Sequence, residues 1–291
     1  MNQIVELFSD YTFLIVLIGT GLLSLTSGIL AVIMVLQKES LVADSISHAT
    51  LPGIIVAFLL FSTRNIYILL AGGIVAALLA MGIIYLLRQI KVLNFNGILA
   101  TILSSFFGFG MVLLTVSQKD PNAAQAGIRN FIFGQAAAIN QNDIFMIIVI
   151  SVIVIIILFL IYKELKLFIF DKSFGKSIGF SPNVIQGILF IVVVITIVIQ
   201  IQIIGVILTS TMLVAPAVAA IQWCNKFHTT ILLSMIVGLF SAIIGTTIST
   251  IVPDISTGPI IAILACLFAI VSIIVAPSGM IMTRIRAAKL K

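Results

Sequence analysis

The chain has 291 residues, 62% hydrophobic and 8% charged, with fifteen basic and nine acidic side chains giving a net charge of +6. Soluble proteins carry about 25% charged residues, so these few charges cannot coat a water-soluble protein of this length; a soluble enzyme, a disordered chain, a collagen and a disulfide scaffold are excluded. The basic residues lie in short clusters between apolar runs rather than in one patch, which marks membrane topology and argues against a nucleic-acid partner.

Glu6 and Asp10 precede the first apolar run, where a secretory signal would carry Lys or Arg, so that run is expected to remain as a span. A helix needs about 20 apolar residues to cross the hydrocarbon. Uncharged intervals fall at 11–36, 66–87, 92–117, 144–162, 183–221, 229–252 and 258–280. A further apolar stretch, 41–61, is long enough to span but contains Asp44 and His48. The interval 183–221 has the length of two spans and is interrupted by Gln200, Gln202 and Gly205, which predicts two helices joined by a tight turn, the second kinked at Pro216. The expectation is an all-α, polytopic integral membrane protein of nine spans, or eight if 206–221 forms only a half-helix.

Twelve of the fifteen basic residues fall in alternate loops: at Lys38, at Arg88 and Lys91, from Lys163 to Lys176, at Lys226 and in the tail from Arg284. The other loops hold only Arg64, Lys119 and Arg129. Basic residues are retained in the cytoplasm, so a nine-span count predicts an outside N-terminus and a cytoplasmic C-terminus. The glycines of 19–28, Gly72-Gly73 and Gly108 to Gly110 read as close helix packing, and Phe106, Phe107 and Phe109 as packing or lipid-facing residues. Cys224 and Cys266 lack metal or redox spacing and are expected to be buried as small hydrophobes.

An ionisable side chain inside hydrocarbon costs roughly 2.5–3.5 kcal/mol, so one that is present usually faces an aqueous path or a partner. Asp44 and His48 stand at i and i+4, on one helix face one turn apart. Ser45, Ser47 and Thr50 add oxygens, and Pro52 with Gly53 can distort the backbone and free carbonyls. Imidazole with carboxylate suits Mn²⁺, Zn²⁺ or Fe²⁺; the same two groups could instead form a hydrogen-bonded pair that only neutralises itself.

The segment from Phe170 to Pro182 is a polar insert in the most basic loop. Its Gly175-Lys176-Ser177 is not a phosphate-binding loop, because Phe170 stands where that motif needs glycine, so the chain is not an ATPase of that kind. A short amphipathic helix capped by Asp171 or Ser173 and ending near Gly179 fits the pattern, as does a solvated basic loop. Among other polar residues, Gln200 and Gln202 could serve an outer gate, His228 reads as solvated, Asp254 as a cap or turn residue and Trp223 as an interfacial anchor.

Asp44-Ser45-Ile46-Ser47-His48-Ala49-Thr50-Leu51-Pro52-Gly53 resembles the Asp-Ala-Ile-Ser-His-Ala-Val-Leu-Pro-Gly signature of the ABC-3 family, the manganese/zinc/iron permeases of ATP-binding-cassette uptake systems. Asn130 to Gly134, Phe170-Asp171 through Gly179, Gly205 through Ala215-Pro216-Ala217, and Asp254 to Gly258-Pro259 are similar to further stretches of that family, in the same order. Lys176, and Ile255-Ser256-Thr257 in place of a proline-containing turn, depart from its pattern. The resemblance implies one permease domain over 1–291 with a type II importer-like fold in the cell membrane. It implies a homodimer that docks cytoplasmic ATPase subunits and accepts a divalent metal ion from an extracellular binding protein, with no permanently bound cofactor. Asp44 and His48 would then be metal ligands, and Asp171, Phe174, Gly175 and Gly179 part of a coupling helix within 171–182. The competing expectations are an ion-coupled secondary transporter using Asp44 and His48 as a proton relay and, with no His-Glu-x-x-His or Gly-x-Ser-x-Gly to support it, an intramembrane hydrolase.

Overall fold

The computed structural model describes residues 11–63, 65–90, 92–117, 141–252, 255–279 and 282. Glu6, Asp10, Arg64, Lys91, Lys119, Arg129, the Asn130 to Gly134 stretch, Asp254 and the tail from Arg284 lie outside the described residues. Within them every regular element is a helix, and eight helices are long and apolar enough to cross a membrane.

In chain order the helices are α1 (Tyr11–Leu36), α2 (Ser40–Phe61), α3 (Ile66–Arg88), α4 (Phe95–Ser117), α5 (Gln141–Leu160), α6 (Tyr162–Phe170), α7 (Lys172–Ser177), α8 (Pro182–Ile204), α9 (Val206–Met212), α10 (Ala215–Trp223), α11 (Phe227–Ile251) and α12 (Thr257–Val275). The expected pair of spans over 183–221 is therefore corrected. Only α8 has full length; it ends before Gly205, whose φ of +85° lies where glycine is favoured. Beyond Gly205 the chain forms two short helices, of seven and nine residues, neither of which alone has the length of a span. The break falls at Leu213-Val214, and Pro216 sits in the first turn of α10 rather than kinking a longer helix. A missing N–H costs nothing there, because first-turn amides have no helical partner.

The helices group into two compact units. One holds α1, α5, α6, α7, α10, α11 and α12. Lipid tails supply no hydrophobic drive between helices, so close approach and hydrogen bonds must hold them, and the α1–α11 pair uses both. A Cβ on Gly28 would lie 2.8 Å from Met235 Cα. Ser234 Oγ donates to Gly28 O at 2.8 Å, and the hydroxyls of Thr20 and Thr246 meet at 3.3 Å. Gly245 lets α11 touch the backbone of α12 at Ile261, and Trp223 Nε1 donates to Ser272 Oγ, joining α10 to α12.

The other unit holds α2, α3, α4 and most of α8. Here α2 and α3 meet through Gly53 and Gly72: a Cβ on Gly53 would collide with the Gly72 carbonyl, and a Cβ on Gly72 would lie 2.5 Å from Ala57 Cβ. On α4, a Cβ at Gly110 would come within 3.0 Å of Leu51 and 3.2 Å of Pro52. The segment around Pro52 is thus clamped from two sides.

The cysteine expectation is also corrected. Both thiols are free, but Cys224 is only half-buried and Cys266 faces outward from α12.

Candidate metal site and cytoplasmic segment

At 1.5 Å rise per residue, Asp44 and His48 stand about 6 and 12 Å along a helix about 33 Å long, so the pair occupies the first half of α2. His48 Nε2 lies 3.6 Å from Asp44 Oδ1. That is ion-pair distance, longer than an ordinary hydrogen bond. Asp44 is 37% and His48 24% exposed. Both present lone-pair atoms to the open side of α2.

The hydroxyls nearby serve the backbone instead. Ser45, Ser47 and Thr50 are buried; Ser47 donates to Ala43 O and Thr50 to Ser47 O, each at 2.7 Å. Ser45 donates to Leu41 O at 2.9 Å and to Leu99 O of α4 at 3.1 Å. Ser45 and His48 both border α4, and Asp44 and His48 are each only partly exposed. Pro52 lies inside the helix and has no N–H, so the carbonyl of His48 has no partner four residues on. One backbone oxygen is thereby freed beside the imidazole.

Phe107 of α4 meets the His48 ring edge-to-face, with centroids 4.9 Å apart and planes at 77°. This contact fixes the ring and gives Phe107 a role beyond the packing expected of it; no spacing rule links residues on separate helices. Phe106 and Phe109 line a different feature, an apolar cavity of about 550 Å³ between α2, α3 and α4 that begins at Pro52. Its lining is apolar throughout, so it offers an ion no ligand. Among the described residues no three His, Cys, Asp or Glu side chains gather into one site. At α2 the candidate ligand side chains are therefore two, Asp44 and His48.

The segment after α5 is helical. Asp171 separates α6 from α7 and caps the latter, its Oδ1 accepting from Phe174 N at 2.9 Å. The far end closes as a Schellman turn: Phe180 N donates to Gly175 O at 3.0 Å, Gly179 N to Lys176 O at 3.2 Å, and Gly179 has φ +93°. Gly175 is buried, and a Cβ there would lie 3.8 Å from Leu167 of α6. Lys172 Nζ stands 4.3 Å over the Phe168 ring. Of the four residues singled out in this segment, Asp171, Gly175 and Gly179 shape the helix, and Phe174 presents a side chain outward, 53% exposed. Elsewhere, Gln200 is fully buried, His228 is exposed, and Trp223 is half exposed.

Eight helices long and apolar enough to cross a membrane, one of them carrying a partly exposed Asp–His pair, define a multi-pass membrane protein. The model of the ABC 3 transport family matches residues 9–276, and the chain belongs to that family. It is 41% identical over 277 residues to the zinc transport system membrane protein TroC of Treponema pallidum (strain Nichols), covering 95% of this chain and 93% of that one. It is 35% identical to the manganese transport system membrane protein MntC of Bacillus subtilis (strain 168), over 95% of this chain and 64% of that protein. Its fold matches that of PsaBC from Streptococcus pneumoniae in complex with Fab with a TM-score of 0.84 at 24% identity, covering 98% of this chain and 99% of the other. The fold is that of an ATP-binding-cassette permease, in agreement with the type II importer-like architecture expected from the sequence.

Proposed function

We propose that this chain is the permease subunit of an ATP-driven importer of divalent transition metal ions, Zn²⁺, Mn²⁺ or Fe²⁺, in which Asp44 and His48 ligate the ion in transit. The observation that carries the reading is the pair itself: carboxylate and imidazole on the open face of a membrane-spanning helix, 3.6 Å apart and not hydrogen-bonded to each other. Such groups are costly in hydrocarbon and are retained where ions pass. Two ligands rather than four suit a site that must release its cargo. Zinc and manganese relatives of the same family support the cargo class.

Family membership supports the rest of the proposed assembly. The chain works as one permease domain, consistent with a family match that runs through both units. It forms a homodimer in the cell membrane, receives metal from an extracellular binding protein, and docks a cytoplasmic ATPase against residues 171–182. In that segment Phe174 contacts the ATPase, while Asp171, Gly175 and Gly179 hold the helix that presents it. Basic residues at Lys163, Lys166, Lys172 and Lys176 support a cytoplasmic position for the segment.

The test is reconstitution in liposomes with and without the ATPase subunit and the metal-loaded binding protein, measuring uptake of Zn²⁺, Mn²⁺ and Fe²⁺ with ATP on the ATPase side. Uptake that requires ATP and both partners supports the proposal and ranks the metals. Uptake by the lone chain under a proton gradient would sink it in favour of an ion-coupled transporter with Asp44 and His48 as the proton path.

A further inference from the structure

Three aromatic rings meet where the cytoplasmic segment adjoins a membrane-spanning helix. Phe227, the first residue of α11, is buried at 7% exposure. Its ring lies against that of Tyr162, the first residue of α6, with centroids 5.5 Å apart and planes at 27°. Phe170, the last residue of α6, meets the same ring edge-on at 5.9 Å and 87°. One ring of α11 therefore touches both ends of α6. These ring contacts join the first turn of α11 to the segment.

The contacts continue in both directions. Phe170 is followed by the single residue Asp171, whose carboxylate caps α7. On the other side, α11 is joined to α1 by the Ser234 bond to Gly28 and by the Thr20–Thr246 contact, with backbone in touch at Gly28 and Met235. Movement of α7 thus has a contiguous path through packed groups to two membrane-spanning helices, and packed groups pass displacement on in discrete steps rather than absorbing it. Aromatic rings suit the role because they are large and rigid, with preferred stacked and edge-on geometries.

We propose that Phe227, held between Tyr162 and Phe170, is the joint through which the cytoplasmic segment moves α11 and α1 during the ATPase cycle. Phe227 is a positioning residue, acting through α11 rather than touching the ion. The coupling role rests on the proposed permease function; the ring cluster itself does not.

Two measurements test the joint. In the full chain carrying Cys224→Ser and Cys266→Ser, spin labels at Lys176→Cys and Leu232→Cys, both exposed positions, report the distance between segment and α11. A narrow distribution is expected with Phe227, a broad one with Phe227→Ala, and a narrow one again with Phe227→Tyr. In liposomes with the ATPase subunit and binding protein, Phe227→Ala is expected to raise the ATP hydrolysed per ion transported about three- to ten-fold, the size of effect seen for residues along coupling networks. ATPase binding should stay at wild-type level, and Phe227→Tyr should restore the ratio. Tyr162→Ala should act in the same direction without adding fully to Phe227→Ala, as residues in contact do. If Phe227→Ala does not fold, Tyr162→Leu and Phe170→Leu carry both measurements. An unchanged distance distribution, an unchanged ratio in the presence of wild-type uptake, or failure of Phe227→Tyr to restore the ratio overturns the joint alone. Absence of ATP-driven uptake by the wild-type complex overturns the proposed function, and the joint's coupling role with it.

Discussion

In α2 an aspartate and a histidine stand on the open face of a membrane-spanning helix, while the hydroxyls beside them turn inward to backbone carbonyls. In the segment from Phe170 to Ile178 the arrangement is reversed: the Asp171 carboxylate turns onto the amide of Phe174, and large apolar side chains at Phe170, Phe174 and Ile178 are exposed. Each region exposes what its surroundings would reject. Hydrocarbon disfavours the exposed polar pair, and water disfavours the exposed aromatic residues. Such inversions are what the proposed function calls for, an ion path in the first case and a protein partner in the second.

The comparison breaks most visibly at the polar pair. Outer-shell changes at metal sites cost about 10–100-fold, so loss of a direct ligand in Asp44→Ala or His48→Ala should lower metal uptake by at least about 100-fold. The amount of each protein in the membrane is quantified alongside, since His48 also packs against Phe107. Uptake that survives both substitutions at normal insertion removes the ligand assignment. The same site fixes the sign of the pH response. Only neutral imidazole has a free lone pair, so uptake should fall once the pH is low enough to protonate His48. His48→Asp should flatten that fall. A wild-type profile no steeper than that of His48→Asp would show that imidazole is not a ligand.

A second effect concerns the frame that holds the pair outward. Gly53→Ala would drive a methyl group into the Gly72 carbonyl and to 2.5 Å from Ala76 Cβ, whereas Gly82→Ala meets nothing within 4 Å. Overpacking of this kind costs about 1–3 kcal/mol, so Gly53→Ala should lower the thermal unfolding midpoint of the detergent-solubilised protein and Gly82→Ala should not. Equal midpoints would mean that α2 and α3 part without cost.

The two regions also differ in how far they can be read from the sequence. The i,i+4 spacing of Asp44 and His48 within an apolar run is legible, since helical periodicity decides which residues share a face. Eight of the nine expected spans are full-length helices for the same reason of length and composition. The segment 206–221, left open as a span or a half-helix, forms two short helices, and composition does not reveal where its backbone turns: it is uncharged throughout, yet it divides at Leu213-Val214. Pro216 signals a disruption, but not that it begins a helix. Phe107 against His48 and Phe227 between Tyr162 and Phe170 are illegible, because those contacts join separate helices. Cys266 departs from expectation for a related reason: in a membrane a small apolar residue has no need to face inward.

The smallest effect sharpens the other half of the comparison. If the Asp171 carboxylate serves only to cap α7, its charge is incidental and its oxygen is what counts. Asp171→Asn keeps an acceptor for the Phe174 amide, and Asn caps about as well as Asp, whereas Asp171→Ala leaves that amide without its partner and costs about 1 kcal/mol. Amide exchange in α7 should therefore speed up several-fold in Asp171→Ala and stay near wild type in Asp171→Asn. ATP-driven uptake should follow the same order, because a frayed α7 presents Phe174 in no fixed direction. An uptake defect in Asp171→Asn as large as in Asp171→Ala, with α7 protected, would give the negative charge a role of its own at the partner surface. The region would then resemble α2, where charge faces outward to act, more than a cap whose carboxylate is spent on its own helix.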